Sequence, residues 1–119
     1  MDQLQARKRE LETLPEDWYI DMDGSYASLP TQDTIDKACS AAERAMAAGL
    51  MVDCVDADAN GGTAVDLFND EGAMVAIYFS NGGHASVVAN GWHEAFSETS
   101  WPRIEQHLRA TNDNERTSG

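Results

Sequence analysis

Apolar residues recur at two different spacings along this chain, with one irregular segment between the blocks. Residues 2–14 carry Leu4, Leu11 and Leu14 on a loosely apolar stripe, which predicts a short helix. Pro15 ends it, because its ring blocks the preceding turn. Residues 16–30 have no regular period, yet they hold Trp18, Tyr19, Ile20 and Tyr26. Those side chains are expected to pin the segment to the core. From Thr31 the helical spacing is clear: Ile35, Ala38, Cys39, Ala42, Ala45 and Met46 share one face. Thr31 is the expected N-cap, Asp33 and Asp36 suit the positive end of the helix dipole, and Gly49 is the stop.

After Gly49 the period drops to two. Residues 51–57, 63–68, 73–79 and 84–89 read as strands, separated by Asn60-Gly61-Gly62, Asn69-Asp70-Glu71-Gly72 and Asn81-Gly82-Gly83. Asn and Gly accept the positive φ of tight hairpins, so three such turns in succession predict an antiparallel meander. Val65, Leu67, Val75, Ile77, Phe79, Val87 and Ala89 belong on its buried face, with Asp66, Met74, Tyr78 and Ser86 on the other. Ser100 is the expected cap of a last helix that buries Trp101, Ile104 and Leu108. The expected fold is α+β: a four-stranded antiparallel meander packed against a central helix at 31–48, with N- and C-terminal helices. An N-terminal helix at 1–14, one domain at 15–110 and a flexible tail at 111–119 complete this organisation.

Composition changes the picture mainly through charge. The formal net charge is −13, and no lysine or arginine occurs between Arg44 and Arg103. That span holds Asp53, Asp56, Asp58, Asp66, Asp70, Glu71, Glu94 and Glu98. Direct nucleic-acid binding is thereby disfavoured, since neutralising phosphates needs clustered cations. No apolar run is long enough for a membrane span, and the opening MDQLQARKRELETL is polar where a secretory signal needs an apolar stretch. Two cysteines, Cys39 and Cys54, have neither metal spacing nor disulfide-framework density, so a reduced, cytoplasmic setting is the expectation.

Chemical motifs are few. Asp56, Asp58, Asn60 and Gly61 match the first half of a calcium loop, but the twelfth position, where a bidentate Glu belongs, is Leu67 in a predicted strand. A β-turn whose acidic and amide side chains bond their own backbone is the better reading. His84, His93 and His107 lack the H-E-x-x-H spacing, and the Gly-rich turns lack the lysine of a phosphate loop. Neither cysteine is placed beside a general base by its spacing. No catalytic residue and no cofactor is implied; the chain reads as a non-enzyme.

A surface reading remains. Carboxylates on turns and on the outward strand face, near aromatic residues, have the composition of an interaction patch. The candidate partner-binding residues are Asp53, Asp56, Asp58, Asp66, Asp70, Glu71, Tyr78 and Trp92. Trp92 has a plainer alternative, covering one end of the sheet. The expected function is an acidic protein-binding protein, a stoichiometric inhibitor of the immunity-protein, antitoxin or anti-CRISPR type. It would mask a basic, nucleic-acid-handling surface of a partner protein. The alternatives are a metal- or ligand-binding module using the turn around Asp53–Asp58, and a small self-associating domain such as a homodimer.

The landmarks Leu14-Pro15-Glu16-Asp17-Trp18, Pro30, Ile35 to Ala38 and Gly61-Gly62 ahead of Val65-Asp66-Leu67-Phe68 follow one another in order. In this the chain resembles a loose group of short bacterial proteins with an L-P-x-x-W start, a helix and a G-G hairpin. It departs from them where Tyr19-Ile20-Asp21-Met22 separates Trp18 from Asp23-Gly24, and where Phe68 stands in place of a tryptophan. The likeness implies a fold and no activity.

Overall fold

The computed structural model describes residues 3–118, with side chains described as far as Arg109. Asp2, where the first helix is expected to begin, and Gly119 lie outside the described residues. Helix α1 spans Gln3–Glu12 and α2 spans Gln32–Ala47. Five strands follow: β1 Met51–Ala57, β2 Gly62–Phe68, β3 Met74–Ser80, β4 Ala85–Ala89 and β5 Trp92–Ala95. A short 3-10 turn at Glu98–Ser100 leads into α3, Trp101–Ser118, whose backbone carries on through residues assigned above to a tail.

Class and order match the sequence pattern, but the meander has five strands, not four, in the order β1-β2-β3-β4-β5, all antiparallel. The fifth is short and was hidden by its composition. Trp92-His93-Glu94-Ala95 shows no apolar alternation, because Glu94 shares a face with Trp92 and is neutralised there by Arg103 from α3.

Alternation places Val55, Val65, Leu67, Val75, Ile77 and Val87 on one sheet face, all buried. Against them α2 lays Ile35, Ala38, Cys39, Ala42 and Ala45, and α3 lays Trp101, Ile104 and Leu108. Small residues on α2 let it lie close to the sheet, and each fully buried Val, Leu or Ile contributes about 1.5–3 kcal/mol. Thr31 caps α2 by accepting from the Thr34 amide, and the chain turns at Gly49 (φ +82°). At the N-terminal end of α2, buried Thr63 donates its hydroxyl to the Thr34 carbonyl at 2.9 Å, tying β2 to the first turn of the helix.

Two asparagines in the turns serve as ties. Asn69 donates to the Leu108 carbonyl of α3 and accepts from the amides of Glu71 and Ala73. Asn81 donates to the Leu29 carbonyl and accepts from the Thr31 amide, holding the irregular segment against the β3–β4 turn.

That irregular segment departs from expectation. Ile20 and Tyr26 form a single antiparallel bridge, a small hairpin whose tip holds Met22 and Asp23. Only Trp18 among its large side chains is half-buried; Tyr19, Ile20, Met22, Tyr26 and Leu29 are exposed, five of the nine exposed large apolar side chains among the described residues. Tyr19, Ile20 and Tyr26 therefore do not pin this segment to the core; Asn81 ties its end to the β3–β4 turn.

Candidate interaction surface

Helices cover one face of the sheet, and among the described residues no helix packs on the other. Cross-strand register sets out this open face in rows. Asp56, Ala64, Tyr78, Ser86 and Ala95 form one; Cys54, Asp66, Ala76, Val88 and His93 form the next; Phe68 and Met74 close it. Tyr78 and Val88 are exposed apolar side chains in its inner rows, and Met74 is exposed in its end row. Carboxylates gather at its β1 side, and the imidazole of His93 stands at its β5 side.

The predicted partner residues divide among several places. Asp56, Asp66 and Tyr78 share the open face. Asp53 is exposed at a register irregularity on edge strand β1, between Val52 and Cys54. Asp58 lies in the β1–β2 turn, where its carboxylate accepts from the Asn60 amide at 3.1 Å. Asp70 and Glu71 occupy the β2–β3 turn at the opposite end of the sheet, about 20 Å away at ~3.3 Å per residue. Trp92 does not reach the open face: its indole stacks 5.8 Å from the His107 ring of α3 and donates to Glu94 at 2.8 Å. It covers one end of the sheet, the plainer of its two readings.

Glu94 and Asp56, in the cation-free span, are paired through the fold by cations distant in sequence. Arg103 holds Glu94 through both carboxylate oxygens, and Trp92 and Ser100 donate to the same group. The guanidinium, followed by these donors, draws the Glu94 carboxyl down to about 2 against the opposing effect of desolvation. Arg7 of α1 reaches the Asp56 carboxylate and also donates to the Val55 carbonyl at 2.6 Å. Asp66, Asp53, Asp58 and Asp70 make no ion pair among the described residues.

Cys54 sits between Asp56 and Asp66, 2.8 Å and 3.3 Å from their oxygens. Burial first, then donation to the two carboxylates, pushes this thiol well above its ordinary range. It is a protonated donor rather than a nucleophile. The three side chains bring one ligand atom each within 4.8 Å of one another, a mixed oxygen and sulfur donor set. Sequence reasoning placed Asp56 with Asp58 and Asn60 instead. The set becomes visible only through the β1–β2 register, because Asp66 is twelve residues from Cys54.

A second concavity lies on the helical side, where α2 and the start of α3 leave part of the sheet uncovered. This cleft of about 500 Å³ has Phe79, Ala85, Phe96 and Trp101 among its lining, with Lys37 and Arg44 on the α2 wall.

No family model matches the chain, and neither a curated protein nor a solved structure is significantly similar to it. Among the described residues, no helix is long and apolar enough to cross a membrane.

Proposed function

We propose that this chain is a non-enzymatic binding protein whose open sheet face settles on a basic surface of a partner protein. The observation carrying this reading is the asymmetry of the sheet: Met74, Tyr78 and Val88 stand exposed on the uncovered face, beside Asp66 and Asp56. An apolar centre with a charged rim is the anatomy of a protein interface. Strands β2 to β5 bear no lysine or arginine, in a chain of net charge −13. Such a face attracts cationic surfaces and speeds encounter with them.

The exposed hairpin adds a second apolar contact, flanked by Glu16, Asp17, Asp21 and Asp23. Stoichiometric inhibitors that mask nucleic-acid-handling proteins, such as immunity proteins, antitoxins or anti-CRISPR proteins, are the corresponding functional class. Affinity capture followed by mass spectrometry names the partner, and calorimetry at low salt then compares variants. Asp66→Lys and Tyr78→Ala should each weaken binding about tenfold or more, as for interface residues whose truncation costs at least ~1.4 kcal/mol. Asp70→Lys, at the far end of the sheet, should have a smaller effect. Undiminished binding by the first two variants would remove the open face from the proposal.

A metal-binding module is the second reading, favoured by the Cys54, Asp56 and Asp66 donor set. Zinc or calcium that binds the native state raises the melting temperature, and Asp66→Asn should abolish that rise.

A further inference from the structure

We infer that the cleft between α2 and the start of α3 is a binding site for a small monocarboxylate bearing a flat apolar group. Phe79, Phe96 and Trp101 line it in sequence, each neighbouring pair meeting edge to face at 5.6 Å. Along the α2 wall, Lys37 and Arg44 stand two turns apart with the small residues Ser40 and Ala41 between them. A ligand's apolar body would rest on the rings while its charge meets the wall. This is the usual division of labour in a small-molecule site.

Arg44 decides the sign of that charge. Its guanidinium lies 5.0 Å from the centroid of the Trp101 ring. An arginine stacked on an aromatic face keeps its planar fork of N–H donors at the edge, shaped for two carboxylate oxygens. Here the fork donates no hydrogen bond among the described residues, and its nearest carboxylate, Glu105, is 4.0 Å away. Of the other arginines with described side chains, Arg7, Arg103 and Arg109 spend donors within the fold, and Arg9 is exposed on α1, outside the lining of this cleft. Lys37 pairs with Asp33 at 3.0 Å and leaves two ammonium protons for a ligand.

The acids at the cleft narrow the class. Asp36 is engaged by Lys8 and Gln32. Glu98, exposed across the cleft from α2, makes no ion pair among the described residues and would repel a second negative charge. A ligand with one carboxylate therefore suits the site better than a dicarboxylate.

The test is an amide-resolved NMR titration of the intact chain with 3-phenylpropanoate, its neutral amide 3-phenylpropanamide, and phenylsuccinate. The expected result is a saturable shift of the Trp101 indole and the Gly83, Ala85 and Ser97 amides at millimolar acid. Affinity should fall about tenfold or more for the amide, as expected when charge-assisted hydrogen bonds are lost, and phenylsuccinate should bind more weakly than the monoacid. Arg44→Gln should reduce binding of the acid to the level of the amide. If that variant loses its native spectrum, the comparison of acid with amide on the unaltered protein decides alone. No saturable shift, equal binding of acid and amide, or shifts confined to other surfaces would overturn the assignment. None of these outcomes bears on the open sheet face, which lies on the other side of the molecule.

Discussion

The side-chain amide of Asn69 spans two elements: its Nδ2 donates to the carbonyl of Leu108 in α3, while its Oδ1 receives the amides of Glu71 and Ala73 in the turn. One buried residue therefore fastens the β2–β3 turn to the last helix. Asn69→Ala removes all three bonds and leaves polar groups without their partner. It should destabilise the fold by about 1.5–3 kcal/mol in urea denaturation, with an unchanged m-value.

Gly62 has no room for a side chain. A Cβ there would lie 1.9 Å from the Phe79 carbonyl oxygen, and φ is +131°. Gly62→Ala should cost more than about 4 kcal/mol, in the range reserved for severe steric conflict. Gly72, at φ +88° with open space around it, is the control. Gly72→Ala should cost only the left-handed penalty of about 1–2 kcal/mol. Thermal melts of the two variants separate a packing requirement from a conformational one.

Stability should depend on acid through Glu94. Its carboxyl is held down from 4.5 to about 2 in the folded chain, chiefly by Arg103. A depressed folded-state value means that the contribution is fully present above pH 4.5 and is lost as pH falls toward 2. Glu94→Gln should thus melt at a lower temperature than the parent at neutral pH. The gap should close between those two values, and melting curves collected across that range check it.

Cys54 should resist alkylation. An ordinary thiol is half ionised at pH ~8.5, whereas this one is shielded and donates to Asp56 and Asp66. Iodoacetamide labelling followed by intact mass should be slow at that pH. Asp66→Asn should accelerate it by removing one of the two negative charges that oppose the thiolate.

Much of this architecture was legible because local chemistry marked it. Pro30 and Thr31 announced the start of α2 and Gly49 its end, so the expected helix and the observed Gln32–Ala47 nearly coincide. The Asn- and Gly-rich turns marked four strands, and period two assigned Val65, Leu67, Val75 and Ile77 to the core correctly. What escaped notice depended on partners far along the chain. Strand β5 was hidden because Glu94 occupies a position facing α3, tolerable only with Arg103 beside it. Asp56 looked unpaired because Arg7 lies 49 residues away. Tyr19, Ile20 and Tyr26 were expected inside on hydrophobicity alone, a guide that fails when backbone and asparagine bonds can hold a hairpin outside the core. On the open sheet face, the alternation in the sequence put Asp66 and Tyr78 together, as the register does, but could not separate the two ends of the sheet or orient Trp92.

Arg7 has a further consequence through its bond to the Val55 carbonyl. That carbonyl belongs to the outermost strand on one side of the sheet, and the strand is also distorted at Asp53. At the opposite margin β5 offers only four residues. Among the described residues neither border presents a long, regular template for a foreign backbone, which disfavours strand addition at both margins.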